Sequence, residues 1–406
     1  MRVPKLRFKE FSGEWEERRL DNVTELIKDG THGTHEDVEN GIALLSAKDI
    51  KNGIVNIPED CRKISINDFY KIHKNYQLEN DDLLLTIVGT IGEVGIVENY
   101  NNNYTFQRSV GIIRPKKEKL NPKFCFQYFN TSIFQNFLKN KANSSAQAGV
   151  YLGELSKIDI KFPTLEEQEK IGRFLSAVDK KIELTFSLLD EFKTYKKGIM
   201  QKIFTQKLRF KDVNGEPFPD WQEKRLGDIA QFSKGKLISK EDITENGLEC
   251  IRYGELYTHY NEVINKIISK TNLNISDLVL SEKNDIIIPS SGETAIDIAK
   301  ASCVMKSGVA LGGDLNIIKL KENGVFLSYY LNNRARNQIA SLAQGASVVH
   351  LYEEHLKKLK IQLPSLAEQQ NIADFLSSID SKIDLLDKEL EGLRAFKKSL
   401  LQQMFI

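Results

Sequence analysis

The sequence lacks several features that would assign a protein to a compartment or a chemistry at once. None of its 406 residues belongs to an apolar run of 18, and its start lacks the apolar core of a signal peptide, so we expect a cytoplasmic protein. The four cysteines, Cys61, Cys125, Cys250 and Cys303, are far apart and form no CxxC pair, which argues against a disulfide framework or a zinc site. The net charge of +1 excludes a global basic field but not local basic surfaces.

A catalytic constellation is also missing. Asn121–Phe124 faintly resembles the Asn-Pro-Pro-aromatic clamp of amino-methyltransferases, but the second proline and an upstream glycine-rich cofactor loop are absent. A turn before a helix is the simpler interpretation. His32 and His35 lie on a glycine-rich loop without a later Cys or His cluster, which makes them weak metal ligands. We therefore predict no catalytic residue, metal or cofactor in this chain, and no enzyme activity.

One stretch of the sequence occurs twice. Pro163–Phe204 and Pro364–Phe405 are identical at 17 of 42 positions, at a constant offset of 201. A period this long indicates a duplicated module and not a solenoid of short repeats. Each copy opens with Thr or Ser followed three residues later by Glu, which is the pattern of a capping box at a helix start.

Each copy then carries apolar residues at alternating spacings of four and three, which predicts a long helix with a heptad seam. At about 1.5 Å per residue the seam is roughly 50 Å long. Because almost no linker follows the first helix, two seams that bury each other must run antiparallel. The alternative is two unrelated amphipathic helices, each packing on its own domain. The predicted core of the helix pair is Ile171, Leu175, Val178, Ile182 and Leu189 from the first copy, with Ile372, Leu376, Ile379, Ile383 and Leu390 from the second.

The segments that precede the two helices also begin alike. Lys5–Lys9 and Lys207–Lys211 both read KLRFK, and each is followed by one of the two tryptophans, Trp15 or Trp221. Beyond these markers the modules diverge, and both read as short strands broken by turn residues. The predicted fold class is thus α+β, with two mixed α/β domains joined by two long antiparallel coiled-coil helices in a pseudo-twofold repeat.

Polar loops of the two modules carry the residue types that hydrogen-bond base edges and phosphates. Each loop alone is more often a solvated surface loop. The candidate DNA-binding residues are Thr31, His32, Thr34, His35, Thr90, Asn103, Tyr104, Arg108, Ser145 and Gln147 in the first module, and Lys234, Lys236, Arg252, Tyr253, His259, Ser290, Ser291, Thr294, Gln344, Ser347 and His350 in the second.

These features together resemble one family, the specificity subunits of type I restriction–modification systems. The resemblance covers essentially the whole chain and is carried by the twin openings KLRFKEFSGEWEERRL and KLRFKDVNGEPFPDWQEKRL, by GTIGEVGIV, and by the twin junctions IKFPTLEEQEKI and IQLPSLAEQQNI. The second module departs from it, with SSGETAIDI in place of GTIGEVGIV. The resemblance implies target recognition domains at 1–162 and 207–363, and conserved helices at 163–206 and 364–406.

It also implies a function. Each recognition domain would read one half of a bipartite asymmetric site on double-stranded DNA, and the helices would set the unread spacer. The partners would be two methylation subunits, which carry S-adenosylmethionine, and two restriction subunits. Two other classes stay open at this point: a coiled-coil adaptor with protein-binding end domains, and a self-contained methyltransferase.

Overall fold

A computed structural model describes residues 3–51, 53–143, 149–345 and 348–406. The chain divides into two compact units: unit 1 comprises Met1–Phe186 and Lys388–Ile406, and unit 2 comprises Ser187–Asp387. Within the described ranges, no helix is both long and apolar enough to cross a membrane. The boundary between the units falls near the middle of each long helix. The domain boundaries expected from the sequence instead treat each long helix as a separate segment. Those boundaries therefore stay a prediction.

Unit 1 is built of short strands, four short helices and parts of the two long ones. Its strands are β1 (Glu16–Arg19), β2 (Thr24–Asp29), β3 (Ile42–Leu45), β4 (Ile50–Lys51), β5 (Ile54–Val55), β6 (Lys63–Ile64), β7 (Leu83–Thr86), β8 (Val94–Ile96), β9 (Tyr104–Phe106), β10 (Val110–Pro115) and β11 (Asp159–Phe162). Its helices are α1 (Ile66–Ile72), α2 (Pro122–Phe129), α3 (Ser132–Asn143), α4 (Leu152–Leu155) and the first part of α5 (Leu165–Phe204), with 3₁₀ turns at Leu20–Asn22 and Ala47–Asp49.

Unit 2 repeats this plan with extra strands. Its strands are β12 (Gln222–Arg225), β13 (Ala230–Lys234), β14 (Ile243–Thr244), β15 (Leu248–Ile251), β16 (Val263–Ile264), β17 (Ser269–Thr271), β18 (Asp285–Pro289), β19 (Ser291–Gly292), β20 (Ser302–Val304), β21 (Ala310–Leu311), β22 (Leu315–Leu320), β23 (Val349–His350) and β24 (Lys360–Leu363). Its helices are α6 (Leu226–Ile229), α7 (Tyr253–Thr258), α8 (Ala295–Ile298), α9 (Gly324–Asn333), α10 (Arg336–Leu342), α11 (Glu353–Leu356) and the first part of α12 (Leu366–Met404), with a 3₁₀ turn at Ile275–Asp277.

The main sheets of the two units have matching strand orders. In unit 1 the order is β2-β10-β7-β8, and in unit 2 it is β13-β22-β18-β20-β16. Strands β7 and β18 lie in the interior of these sheets, and Leu83–Leu85 and Ile286–Ile288 are fully buried in them. A second sheet in each unit contains a parallel pair, β3 with β9 in unit 1 and β15 with β21 in unit 2. The α+β prediction is confirmed.

The long helices run in opposite directions where they meet inside each unit. In unit 1 the start of α5, with Ile171 and Leu175, shares one hydrophobic cluster with Leu400 and Met404 from the end of α12. In unit 2 the roles are exchanged, and residues from the end of α5 cluster with the start of α12. Of the ten predicted core residues of the helix pair, seven are buried, while Val178, Ile182 and Ile383 are half-buried.

A lysine at the equivalent position of each long helix, Lys196 on α5 or Lys397 on α12, lies in a half-buried ion pair. In unit 1, Lys397 Nζ lies 2.5 Å from Asp179 Oδ1. In unit 2, Lys196 Nζ lies 2.7 Å from Asp380 Oδ1 and 3.0 Å from Glu262 Oε2. Burial lowers the pKa of Lys196, but its two carboxylate partners outweigh that effect and hold the pKa above its usual value. A buried charge needs a partner, so each pair favours the alignment that joins its two helices.

One local prediction needs correction. The first-turn glutamate of α12 does not fold back as in a capping box: Ser365 Oγ accepts the N–H of Glu368, but the Glu368 carboxylate binds Arg209. A guanidinium offers two aligned donors, whereas the backbone offers one. The second module's counterpart of GTIGEVGIV, SSGETAIDI, has a local structure of its own. There a two-residue strand is followed by the short helix α8, because Thr294 caps that helix by accepting the N–H of Asp297.

Candidate nucleic-acid interface

Two loops of unit 1 are fastened together by their backbones, and we call this contact the crossing of unit 1. Thr31 N–H donates to Phe106 O at 2.8 Å, and Arg108 N–H donates to Thr31 O at 3.0 Å. A Cβ on Gly30 would lie 2.1 Å from Phe106 O, so a side chain at this position would force the strands apart. The crossing therefore holds the histidine loop beside the exposed Arg108.

A third loop of unit 1 joins them. Ile87 N–H donates to Ser109 O at 2.9 Å, and Val150 N–H donates to Ile87 O at 2.9 Å. The loop between β7 and β8 thus lies against the β9–β10 turn on one side and residue 150 on the other. It turns at Gly89 and Gly92, whose φ angles of +80° and +99° suit glycine. The histidine loop, the β7–β8 loop and the β9–β10 turn, which are far apart in the sequence, therefore lie side by side.

Unit 2 contains the equivalent crossing, at Gly235–Lys236. Lys236 N–H donates to Leu311 O at 3.0 Å, and a Cβ on Gly235 would lie 2.1 Å from Gly312 O. Ser290 N–H donates to Asp314 O at 2.8 Å, and Leu351 N–H donates to Ser290 O at 3.0 Å. These bonds match those of Thr31, Ile87 and Val150, although the side chains differ.

The histidine loop is held by polar contacts of its own. Thr31 Oγ1 lies 2.9 Å from His35 Nε2, and His32 Nε2 lies 2.5 Å from Asp29 Oδ2. Within the described ranges, no group of three or more His, Cys, Asp or Glu side chains is placed to hold a metal. His32 and Thr34 are exposed, so the loop presents hydrogen-bond donors and acceptors to solvent.

Two ranges of the chain, 12–194 and 219–395, match the family model described as "Type I restriction modification DNA specificity domain". The chain belongs to this family. The two matched copies agree with the duplication, and the prediction of a specificity subunit is confirmed. The adaptor alternative is not favoured by these matches.

Curated relatives and solved structures agree with this assignment. The chain is 25% identical over 411 residues to the putative type I restriction enzyme MjaX specificity subunit of Methanocaldococcus jannaschii, covering 97% of this chain and 93% of that one. It is 26% identical over 214 residues to the EcoBI specificity subunit of Escherichia coli, covering 52% of this chain and 43% of that one. The fold matches the crystal structure of a type I restriction–modification S subunit from M. genitalium with a TM-score of 0.65, at 17% identity, covering 100% of this chain and 99% of that one.

Many of the specificity subunit's predicted DNA-binding residues are at the surface. The exposed ones are His32, Thr34, Thr90, Asn103, Arg108, Lys234, Lys236, Tyr253, His259, Thr294, Gln344 and His350, and the half-buried ones are Thr31, His35, Arg252 and Ser291. The backbone contacts bring Thr31 and Arg108 together in unit 1. In unit 2 they bring Ser290, Ser291, Gln344 and His350 together. Ser145, Gln147 and Ser347 lie outside the described residues.

Two of the predicted DNA-binding residues are interior. Tyr104 is 4% exposed and belongs to a hydrophobic cluster, and burial raises its pKa to about 12. Its polar neighbours Asn101–Asn103 concealed the fact that it starts strand β9, which pairs with β3. Ser290 is 7% exposed and contributes backbone hydrogen bonds to the crossing region. Both prediction errors came from judging a residue by its polar neighbours.

Sequence reasoning missed one residue in each unit that holds a loop of the candidate interface. Gln135, on α3, donates from Nε2 to Gly92 O and to Phe129 O, both at 2.8 Å. Arg336, on α10, donates from Nη2 to Ile296 O at 3.3 Å. The two residues are 201 apart, which is also the offset of the long helices. That shared offset was the signal that could have found them.

Proposed function

We propose that this specificity subunit reads a bipartite asymmetric site on double-stranded DNA, with each recognition domain contacting one half of it. The observation that carries the proposal is the pair of equivalent crossings with different side chains. Thr31 and the exposed Arg108 lie at the first crossing, and the register of the isolated bridges puts Lys236 and Gly313 at the same places in the second. Since base edges are distinguished by the donors and acceptors offered to them, unlike side chains on like backbones favour unlike half-sites.

The residues available at the interface suit this task. Arg and Lys bind guanine or phosphate, and Asn, Gln, Ser, Thr and His offer mixed donors and acceptors. Unit 1 offers Arg108, His32 and Thr90, and unit 2 offers Lys234, Lys236 and His350, all exposed. With a net charge of only +1, discrimination depends on these local groups, since the chain as a whole supplies little attraction to a polyanion.

Methylation and cleavage belong to partner subunits in this proposal. Two methylation subunits would carry S-adenosylmethionine and dock on the repeated helices, one on each equivalent surface. Two restriction subunits would complete the nuclease, in the cytoplasm where the DNA lies. The duplication of the helices supports a partner stoichiometry of two, because an equivalent surface recurs at an offset of 201 residues.

Methylome sequencing tests the proposal. Cells that express the methylation subunit with and without this chain should differ by one bipartite motif, methylated on both halves. A chimera in which residues 227–361 come from another family member should keep the first half of the motif and change the second. A motif that changes in both halves, or no new motif at all, would overturn the modular interpretation.

A further inference from the structure

Unit 1 contains a concave surface next to the proposed interface, which we call the basic groove. It is about 300 Å³ in volume and lies between the α2–α3 junction and the last part of α12. Its lining is Asn130, Ser132, Arg394, Lys397, Lys398, Leu401 and Gln402. Lys397 is neutralised by Asp179, whereas Arg394 and Lys398 are exposed and form no ion pair with any residue the structure describes. The groove thus carries two uncompensated positive charges.

The segments that form the groove contain no acidic residue. Asp and Glu make up 56 of the 406 residues, about one in seven, yet none occurs in the 33 residues from Asn121 to Gly153. None occurs from Gly392 to Ile406 either. A wall poor in acids suits a surface that faces a polyanion, because a carboxylate there would repel each phosphate. Asp179, which reaches this wall from α5, is paired with Lys397.

The helix dipole does not account for these cations. Positive residues are favoured in the last turn of a helix, and the effect fades beyond that turn. The last turn of α12 contains no basic residue, and Lys398 lies six residues before the helix ends at Met404. Arg394 lies a further turn inward. The two cations therefore do not serve to stabilise the end of α12.

The groove adjoins the proposed interface through helix α3. Ser132, which lines the groove, and Gln135, which binds Gly92 O, are three residues apart and so lie on the same face of the helix. Gln135 also binds Phe129 O, one residue before the groove-lining Asn130. Helix α3 therefore both bounds the groove and holds the loop of Thr90.

We propose that the basic groove binds the phosphate backbone of the DNA, beside the bases read by the first recognition domain. Arg394 and Lys398 supply the charge, and the Ser132 hydroxyl and the Gln402 amide supply neutral donors. Such contacts position the duplex without reading its sequence. The inference rests on the proposed function, because it assigns the phosphates of that same duplex.

The salt dependence of binding by the assembled complex tests this site. Binding of a fluorescent duplex that contains the recognition motif, and of one that lacks it, is measured by anisotropy over a range of salt concentrations. The slope of log K against log salt is negative, and each lost phosphate contact reduces its magnitude by about 0.9. R394Q and K398Q should each reduce that magnitude by up to about 0.9, and equally on both duplexes. K388Q, which removes an exposed lysine of α12 outside the groove, should leave the slope unchanged.

The possible results distinguish failure of the phosphate site from failure of the proposed function. Unchanged slopes in R394Q and K398Q would overturn the phosphate site. So would loss of assembly with the methylation subunit, because the groove would then be a protein-docking surface. Recovery of the slope in R394K supports a charge contact over a packing role. If the unmodified complex preferred no sequence, the proposed function would fail, while the slopes would still report on the groove.

Discussion

In both units the arginine of the KLRFK stretch binds the first-turn glutamate of a long helix through two hydrogen bonds. Arg7 bonds to Glu167 at 2.7 and 2.6 Å, and Arg209 bonds to Glu368 at 2.8 and 2.9 Å. These fastening contacts agree within a few tenths of an ångström, whereas the exposed side chains around the crossings differ. The comparison separates residues that hold the fold, which recur at a fixed offset, from residues that carry specificity, which do not.

The helix-pair lysines show a subtler difference between the units. Asp179 in unit 1 accepts a hydrogen bond from Gln127, and its equivalent Asp380 in unit 2 accepts one from Tyr329. Unit 2 adds a second carboxylate, Glu262, so two acids share one lysine. Burial raises the pKa of Asp380, although Lys196 and Tyr329 oppose the change. The stability of unit 2 should consequently depend more on Lys196 than the stability of unit 1 depends on Lys397.

Removing the two lysines is expected to have the largest effect. Lys196→Met leaves two half-buried carboxylates, Glu262 and Asp380, without a cation. Breaking a fully buried pair costs about 3–5 kcal/mol, which sets the upper end of the expected loss. Lys397→Met should cost clearly less, because it leaves a single carboxylate, Asp179, which is about one-third exposed and keeps its bond from Gln127. Urea unfolding of both variants measures the difference. Equal losses would contradict the asymmetry.

Cavities in the helix seam come next. Leu189→Ala and Leu390→Ala should each lower the free energy of unfolding by about 2–5 kcal/mol, because both side chains are only 4% exposed. Leu184→Ala and Leu385→Ala are matched controls on the same helices, where the side chains are 55% and 62% exposed. A circular-dichroism melt should shift for the first pair and barely change for the controls. An unshifted melt for the buried pair would mean that the seam is not packed.

The two arginines nearest the crossings should act on separate half-sites. Arg108→Ala should weaken binding at one half-site by about 1–3 kcal/mol, as expected for a good base contact. Arg252→Ala should weaken the other half-site by less, because Arg252 is half-buried and lies 3.3 Å from Glu255. Binding to duplexes altered in one half-site at a time measures both. If either variant lost affinity at both half-sites, the prediction that each recognition domain reads one half-site would be wrong.

The loop-holding residues should have the smallest effects. Gln135→Ala removes the hydrogen bond to Gly92 O that holds the loop of Thr90, and a second bond to Phe129 O at the end of α2. A hydrogen bond of this kind contributes about 0.5–1.5 kcal/mol. Arg336→Ala removes one longer bond in unit 2 and should matter less. Asn136→Ala, at the exposed neighbour of Gln135, is the control. Reduced discrimination at the first half-site, with an unchanged melting temperature, is the expected signature of Gln135→Ala.

The heptad seam was predictable from the sequence because its periodicity is local. A spacing of four places Ile171 and Leu175 on the same face of a helix, and the same holds for Ile372 and Leu376. The crossings were not predictable in this way. Thr31 and Phe106 are 75 positions apart and meet through backbone atoms, which leave no side-chain pattern. Only Gly30 and Gly235 mark them, and a single glycine is common in turns and loops of every kind.

Tyr104 was misjudged for a related reason. Three asparagines precede it, so its surroundings read as a polar loop. Its burial depends on the parallel pairing of β9 with β3, which brings together residues about 60 positions apart. A prediction that weighs near neighbours alone cannot detect such a pairing.

The crossings have a consequence for how new specificities could arise. They are closed by peptide groups and by two glycines, so the neighbouring side chains are not needed to close them. Positions 31, 108 and 236 can thus be exchanged widely while the scaffold persists, whereas any replacement of Gly30 or Gly235 should abolish folding of its domain. A library randomised at those three positions should yield soluble variants with altered target motifs.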